Sequence, residues 1–317
     1  MHPRPVCGAA ILILGFACAV RVASPAAAAE PHAVTIVFGG DVMLDRGPGH
    51  AVGKGVDPFA KLATTLRDAD IAVCNLECVI ADGGEKEQKA FTFRARPWCV
   101  PVLKRHFTAV SVANNHALDY GRGAFLQELE LLRQGGLHHF GGGRNLREAH
   151  QPLILERHGR RVALLGYNDA FSRSFEAGEN TPGIAWLVEE DVVADLERAR
   201  REFRADIVIP YLHWGEEGEA GPTPAQRALA RRLIEAGADA VVGAHPHVTQ
   251  TVDVHRGRPI IYSLGNLVFD YDPGDPPVYS GWLVRFTFGG PGRVDVETIA
   301  FELDPAGLPV PVPVPPP

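Results

Sequence analysis

With 317 residues, 46% of them hydrophobic and 22% charged, the chain has a globular composition, which excludes the disordered and fibrous classes. Its 38 acidic residues outnumber 31 basic ones for a net charge of −7, which argues against holding nucleic acid by phosphate neutralisation. The length suffices for one large domain or two small ones with a real core.

Arg4 precedes an apolar run from Val6 to Val20, and four alanines, Ala26 to Ala29, stand before Glu30. This pattern reads as a secretory signal peptide over residues 1–29, too short for a comfortable membrane span. It implies an extracytoplasmic protein of the periplasm or cell envelope, with membrane contact only through an uncleaved N-terminus. Loss of Arg4 and Arg21 leaves 29 basic and 38 acidic residues, a net charge of −9. Three cysteines remain, Cys74, Cys78 and Cys99, and an odd number argues against a disulfide framework. Period-two geometry puts Cys74 and Cys78 on the strand face opposite Asn75 and Glu77, as core residues.

Six apolar, strand-like runs each close on a residue able to bind a metal. They cover 35–41 (Asp41), 71–77 (Glu77), 109–116 (Asn115 and His116), 206–213 (His213), 239–247 (His245 and His247) and 259–266 (Asn266). Helices are predicted between them. The span 57–67 opens on Asp57-Pro58, and 123–133 carries Phe125, Leu129 and Leu132 on one face. The span 189–203 runs from acids to arginines, as the helix dipole favours, and 224–235 is closed by Gly237. Such alternation predicts a βαβ-rich architecture with parallel strands. Two hairpins, 153–167 turning at His158-Gly159 and 279–303 turning at Gly289 to Gly292, imply a partly antiparallel second sheet. No repeat or linker interrupts residues 30–304, so one domain is expected. The proline-rich residues 305–317 read as an extended, solvated tail.

In α/β proteins ligands bind beyond the carboxyl ends of strands, so Asp41, Glu77, Asn115, His213, His245 and His247 are expected to share one cleft. With no cysteine facing it, this set suits one or two divalent cations such as Mn, Fe or Zn. Phosphoester hydrolysis with metals needs anionic oxygens, a shared ligand, acidified water and an acid for the leaving oxygen. Glu77 is the candidate shared ligand, Asn115 a neutral oxygen donor and His116 the proton donor. His245 and His247, two apart in extended chain, point to the same side.

The motifs Phe38-Gly-Gly-Asp-Val-Met-Leu44, Asn75-Leu-Glu77, Ala113-Asn-Asn-His-Ala-Leu-Asp-Tyr-Gly121, His213-Trp-Gly-Glu-Glu217, Gly243-Ala-His-Pro-His247 and Tyr262-Ser-Leu-Gly-Asn-Leu-Val-Phe269 resemble the CapA family. These are bacterial capsule, or poly-γ-glutamate, biosynthesis proteins, a family similar to the calcineurin-like metallophosphoesterases. The resemblance implies a four-layer α/β/β/α sandwich of metallophosphoesterase type with mixed sheets. It assigns Asp41 and His247 to a first metal, and Asn115, His213 and His245 to a second. Glu77 then stands near the bridging acid and His116 is the proton donor. One departure is plain: metallophosphoesterases carry Asp-x-His on the first strand, whereas this chain has Asp41-Val42-Met43, and methionine is a poor ligand for hard cations.

Around this set, Asp119 either orients His116 or caps a turn. Glu216 and Glu217 either contact metal, water or substrate, or lie on a solvated loop. Asn266 either lines the cleft or forms a turn, and Arg94 either meets an anionic substrate or makes a surface ion pair. The leading expectation is an exported, metal-dependent hydrolase of a phosphoester or polymer bond, acting on an anionic polymer or phosphoester. The alternatives are a non-catalytic, metal- and polymer-binding accessory subunit of a polyglutamate synthesis or export complex, and an amide hydrolase or transferase that acts on polyglutamate.

Overall fold

The structure is a computed structural model that describes residues 33–270, 280–290 and 292–312. The predicted signal peptide therefore lies outside the described residues. Among these residues no helix is long and apolar enough to cross a membrane.

The chain starts in one sheet, builds a second and returns to the first. Parallel strands β1 (Val34–Val42), β2 (Ile71–Leu76), β3 (Ala109–Ser111) and β4 (His138–Phe140) lie side by side. The hairpin β5 (Leu153–Arg157) and β6 (Arg160–Asn168) opens the second sheet. There β6 runs parallel to β7 (Ile207–His213), then β8 (Val241–Ala244), with β9 (Val252–His255) and β10 (Arg258–Ile261) completing that edge. Strand β11 (Asn266–Val268) lies parallel to β1, and β12 (Ser280–Phe288), β13 (Val294–Leu303) and β14 (Pro309–Pro311) extend the first sheet as antiparallel strands. Both hairpins are present, but they serve different sheets, so each sheet is mixed rather than only the second.

Alternation along the strands sorts the apolar side chains into three cores. Ile36 and Phe38 of β1, Ile71 and Val73 of β2, and Ile207, Ile209 and Tyr211 of β7 meet between the sheets. Val37, Ala72, Cys74 and Leu76 face the other way, onto α1 (Arg46–Gly53), α2 (Ala63–Arg67), α3 (Cys99–His106) and α4 (Gly121–Gln134). Val208 and Leu212 face α5 (Glu189–Arg201) and α6 (Pro224–Glu235). The result is the four-layer α/β/β/α sandwich, and Cys74, Cys78 and Cys99 are free and buried within it. Helix α6 begins with a reciprocal cap: Gln226 N–H donates to Thr223 Oγ1 at 3.1 Å, and Thr223 N–H donates to Gln226 Oε1 at 2.9 Å. Thr223→Ala is expected to cost about 1 kcal/mol, read as a lower urea midpoint at unchanged slope.

One helix forms where none is predicted, and one expectation needs correction. Helix α1 holds Gly47, Pro48 and Gly49, residues that argue against a helix by propensity, and burial of Pro48 and Val52 overrides them. The proline-rich stretch after residue 304 is not a free tail through residue 312. Strand β14 pairs with β13, Leu303 opposite Pro309 and Phe301 opposite Pro311, and Val312 N–H donates to Ala300 O at 3.2 Å. An edge strand tolerates proline when the missing N–H points outward, and the Pro309, Pro311 spacing keeps both prolines in that phase. Residues 313–317 lie outside the described residues.

Candidate metal centre

Strand parity aims the predicted ligands into the gap between the two sheets. On β2 the inward sequence Ile71, Val73 continues to Asn75 and then Glu77, while on β7 Ile207, Ile209 and Tyr211 lead to His213. On β1 the register with β2 shifts between Phe38 and Asp41. Gly39 and Gly40 make that shift possible: a Cβ on Gly40 would fall 1.8 Å from the Gly265 carbonyl oxygen. Tyr211 OH donates to Gly39 O at 2.8 Å and fixes the bulge. Beyond it Asp41 lies opposite Asn75 on one side and Asn266 on the other. Met43 turns into the helix-layer core, where its sulfur accepts Asp45 N–H at 3.2 Å, so β1 supplies Asp41 alone.

All six ligands expected from the strand ends converge. His213 Nε2 lies 2.8 Å from Asn115 Oδ1 and 3.7 Å from Glu77 Oε1. His247 Nδ1 lies 3.5 Å from Asp41 Oδ2, and its Nε2 3.9 Å from Glu77 Oε1. The His213 and His245 rings are 4.7 Å apart between centroids. Ligand-type atoms of Glu77, His213 and His245 lie within 4.8 Å of one another, as do those of Asp41, Glu77 and His247. Asn75 Nδ2 donates to Asp41 Oδ1 at 2.8 Å and stands 3.1 Å from His213 Nδ1, and Asn114 Nδ2 donates to Asn75 Oδ1 at 3.0 Å.

The charges in this centre are unbalanced. Asp41, Glu77 and His213 are wholly buried, and neither Glu77 oxygen meets an N–H or O–H donor among the described residues. Burial, then the neighbouring Asp41 and Glu217 carboxylates, push Glu77 well above the usual carboxylate range. Burial also raises Asp41, against the opposing pull of His247. Burial and the adjacent imidazoles hold His213 far below its ordinary value and His245 down to about 3, so both rings are neutral. Two buried carboxylates beside the neutral rings of His213 and His245 are short of positive charge, and a divalent cation would supply it. These residues fit a divalent metal.

The remaining expected residues divide. Asp119 orients His116, with Oδ2 2.7 Å from His116 Nδ1. Asn266 lines the cleft, its Oδ1 2.8 Å from His247 Nδ1, which leaves His247 Nε2 facing Glu77. Glu217 brings its carboxylate to His245 and His247, while Glu216 falls in none of these groups. Arg94 lies outside the cluster: its guanidinium stacks 4.3 Å over Tyr120 and its N–H donates to Asp45. Trp214 is buried and packs against Tyr262.

Sequence reasoning misses three residues. Lys89, nearly buried, reaches Asp119 Oδ1 at 2.5 Å, the Asn115 carbonyl at 2.6 Å and His116 Nδ1 at 3.2 Å. Its charge-rich setting, 85–89, reads as solvated loop and gives no signal. Arg46 stacks 5.0 Å over Phe93, whose ring lies 4.4 Å from His116. Asp169, just past the end of β6, donates its N–H to His213 O at 3.1 Å, and burial pushes its carboxyl up to about 6. The rule that reads polar residues at strand ends applies to Asp169 as well.

The profile described as "Bacterial capsule synthesis protein PGA_cap" matches residues 35–271. The capsule biosynthesis protein CapA of Bacillus anthracis is 33% identical over 250 residues, covering 76% of this chain and 61% of that protein's own length. A probable polyglutamine synthesis accessory protein of Mycobacterium tuberculosis is 30% identical over 296 residues, covering 77% of each. The solved structure of the Haemophilus influenzae NAD nucleotidase aligns at a TM-score of 0.48 and 13% identity, over 89% of this chain and 54% of that one. With three quarters of its length inside the matched profile and every strand-end motif in order, the chain belongs to the PGA_cap family of bacterial capsule synthesis proteins.

Proposed function

We propose that the chain is an exported, divalent-metal-dependent hydrolase of an anionic polymer or phosphoester that works in capsule or poly-γ-glutamate biosynthesis. The observation that carries this reading is Glu77, a buried carboxylate without a donor, set beside Asp41 and the rings of His213, His245 and His247. Asp41, Glu77, Asn115, His213, His245 and His247 would hold one or two ions, and Mn, Fe and Zn match that donor set. A cation bound there supplies Lewis acidity to a substrate oxygen and acidifies a water. The chain's own residues do the rest. Asp119 holds the His116 proton on Nδ1 and leaves Nε2, 3.9 Å from Glu77 Oε1, to pass a proton to the leaving oxygen. Lys89 holds Asp119 in place, and Arg46 offers a guanidinium for an anionic chain. The polymer comes from the family and from the relatives' names, and export from the N-terminal pattern.

The name of the mycobacterial relative favours a second reading, a metal- and polymer-binding accessory subunit without turnover. One assay separates the two. The chain is incubated with manganese and either a chromogenic phosphodiester or a γ-linked glutamate polymer. Turnover that a chelator abolishes is the expected result. Polymer binding with no cleavage of either substrate selects the accessory reading.

A further inference from the structure

The cluster carries more ligand-type side chains than one cation uses. Besides the two buried groups, a carboxylate oxygen of Glu217 lies within 4.8 Å of ring nitrogens of both His245 and His247. Glu217 is exposed while His245 is buried, so this third group is the solvent-facing side of the centre. We infer that Glu217, His245 and His247 form a second, outer cation site, whose carboxylate is delivered by the loop after β7. The inference rests on the metal-dependent reading above and goes beyond it, because it assigns a ligand that no strand end supplies.

The loop is built to hold Glu217 at this place. Gly218 N–H donates to Pro246 O at 2.9 Å, which ties the loop to the residue between the two histidines. Gln250 Nε2 donates to Glu219 O at 2.8 Å on the far side. Trp214 anchors the near side, with its N–H on Ala244 O at 3.1 Å and its indole N–H on Tyr262 O at 3.0 Å. Gly215 and Gly218 take positive φ angles of 94° and 78°, which turn the chain on either side of the two glutamates.

The histidine side carries its own signs of a ligand. His245 and His247 both adopt positive φ, 98° and 60°, conformations that residues with a side chain adopt only where the surroundings impose them. Buried His245 Nδ1 has no hydrogen-bond partner among the described residues. An orphaned, buried ring nitrogen of this kind is open to a ligand.

Two imidazoles and one carboxylate, with further positions open to solvent, form a donor set for catalytic zinc or for ferrous or manganous ions. The two buried groups, by contrast, both contain Glu77, with His213 and His245 in one and Asp41 and His247 in the other, and an ion there would be shielded from solvent. The outer ion is therefore the weaker and more readily exchanged of the two.

The test is manganese binding by the chelator-treated full chain, with bound ions counted by elemental analysis and affinities measured by calorimetry. The wild type is expected to bind two ions. Glu217→Gln is expected to keep the tighter ion and to weaken the second tenfold or more, while Glu216→Gln behaves as wild type. Two ions with unchanged affinities in Glu217→Gln overturn the outer site and leave the buried centre standing. A wild type that binds one ion, unaffected by Glu217→Gln, does the same. A wild type that binds none overturns the metal reading itself.

Discussion

Glu77→Gln is expected to act in opposite directions on the metal-free and metal-loaded protein. Without metal, the wild type carries a buried carboxylate that no donor stabilises, next to a second carboxylate. An amide of the same shape needs neither a buried charge nor a proton taken up on folding, so the metal-free variant is expected to be more stable than wild type at neutral pH by ~1 kcal/mol or more. With metal the variant has lost an anionic ligand common to both buried groups, and manganese affinity is expected to fall on the order of 100-fold. The pH dependence follows from the same shift. Folded protein keeps the Glu77 proton to a higher pH than unfolded chain does, over a window that opens near 4.5 and closes at the raised value. Stability of the metal-free wild type therefore falls as pH rises through that window, and this contribution is absent from Glu77→Gln. Cations bind the ionised form, so their affinity rises with pH over the same range. Thermal melts with chelator and with manganese, at several pH values, check both signs. A variant destabilised in chelator and still stabilised by manganese contradicts the assignment.

His116→Gln is expected to lower turnover 10²- to 10⁴-fold, the range typical of a lost general acid. Manganese affinity should stay within a factor of about three, because the His116 side chain belongs to none of the ligand groups. Burial lowers the His116 pKa, Asp119 partly restores it, and the Lys89 charge opposes that restoration. The proton-donating form is lost as pH rises through the lowered value, so the rate declines on the alkaline side. In Lys89→Met one lowering influence disappears, and that decline should move to higher pH. Rate measurements across pH on wild type and both variants decide this. A His116→Gln enzyme as fast as wild type removes His116 from proton transfer.

Residues that depend on strand ends are readable from the sequence. Each apolar run tells where a strand stops, and the sandwich brings Asp41, Glu77, Asn115, His213, His245 and His247 together however far apart they lie in the chain. Residues whose place depends on one tertiary contact are not readable. The position of Glu217 hangs on the Gly218 to Pro246 hydrogen bond, and that of Lys89 on a carboxylate thirty residues away. Met43 looks like a position two residues beyond Asp41 on the same face, until the register shift between Asp41 and Val42 turns it into the helix-layer core. The proline-rich stretch pairs despite its missing donors because an edge strand asks for fewer of them than a central one.

Anomalous diffraction at the manganese edge, on crystals of the full chain grown with manganese, tests the central claim most directly. A peak within bonding distance of Glu77, together with His213 or His247, is the predicted result. A centre without any anomalous peak, while manganese binds elsewhere on the surface, would contradict it.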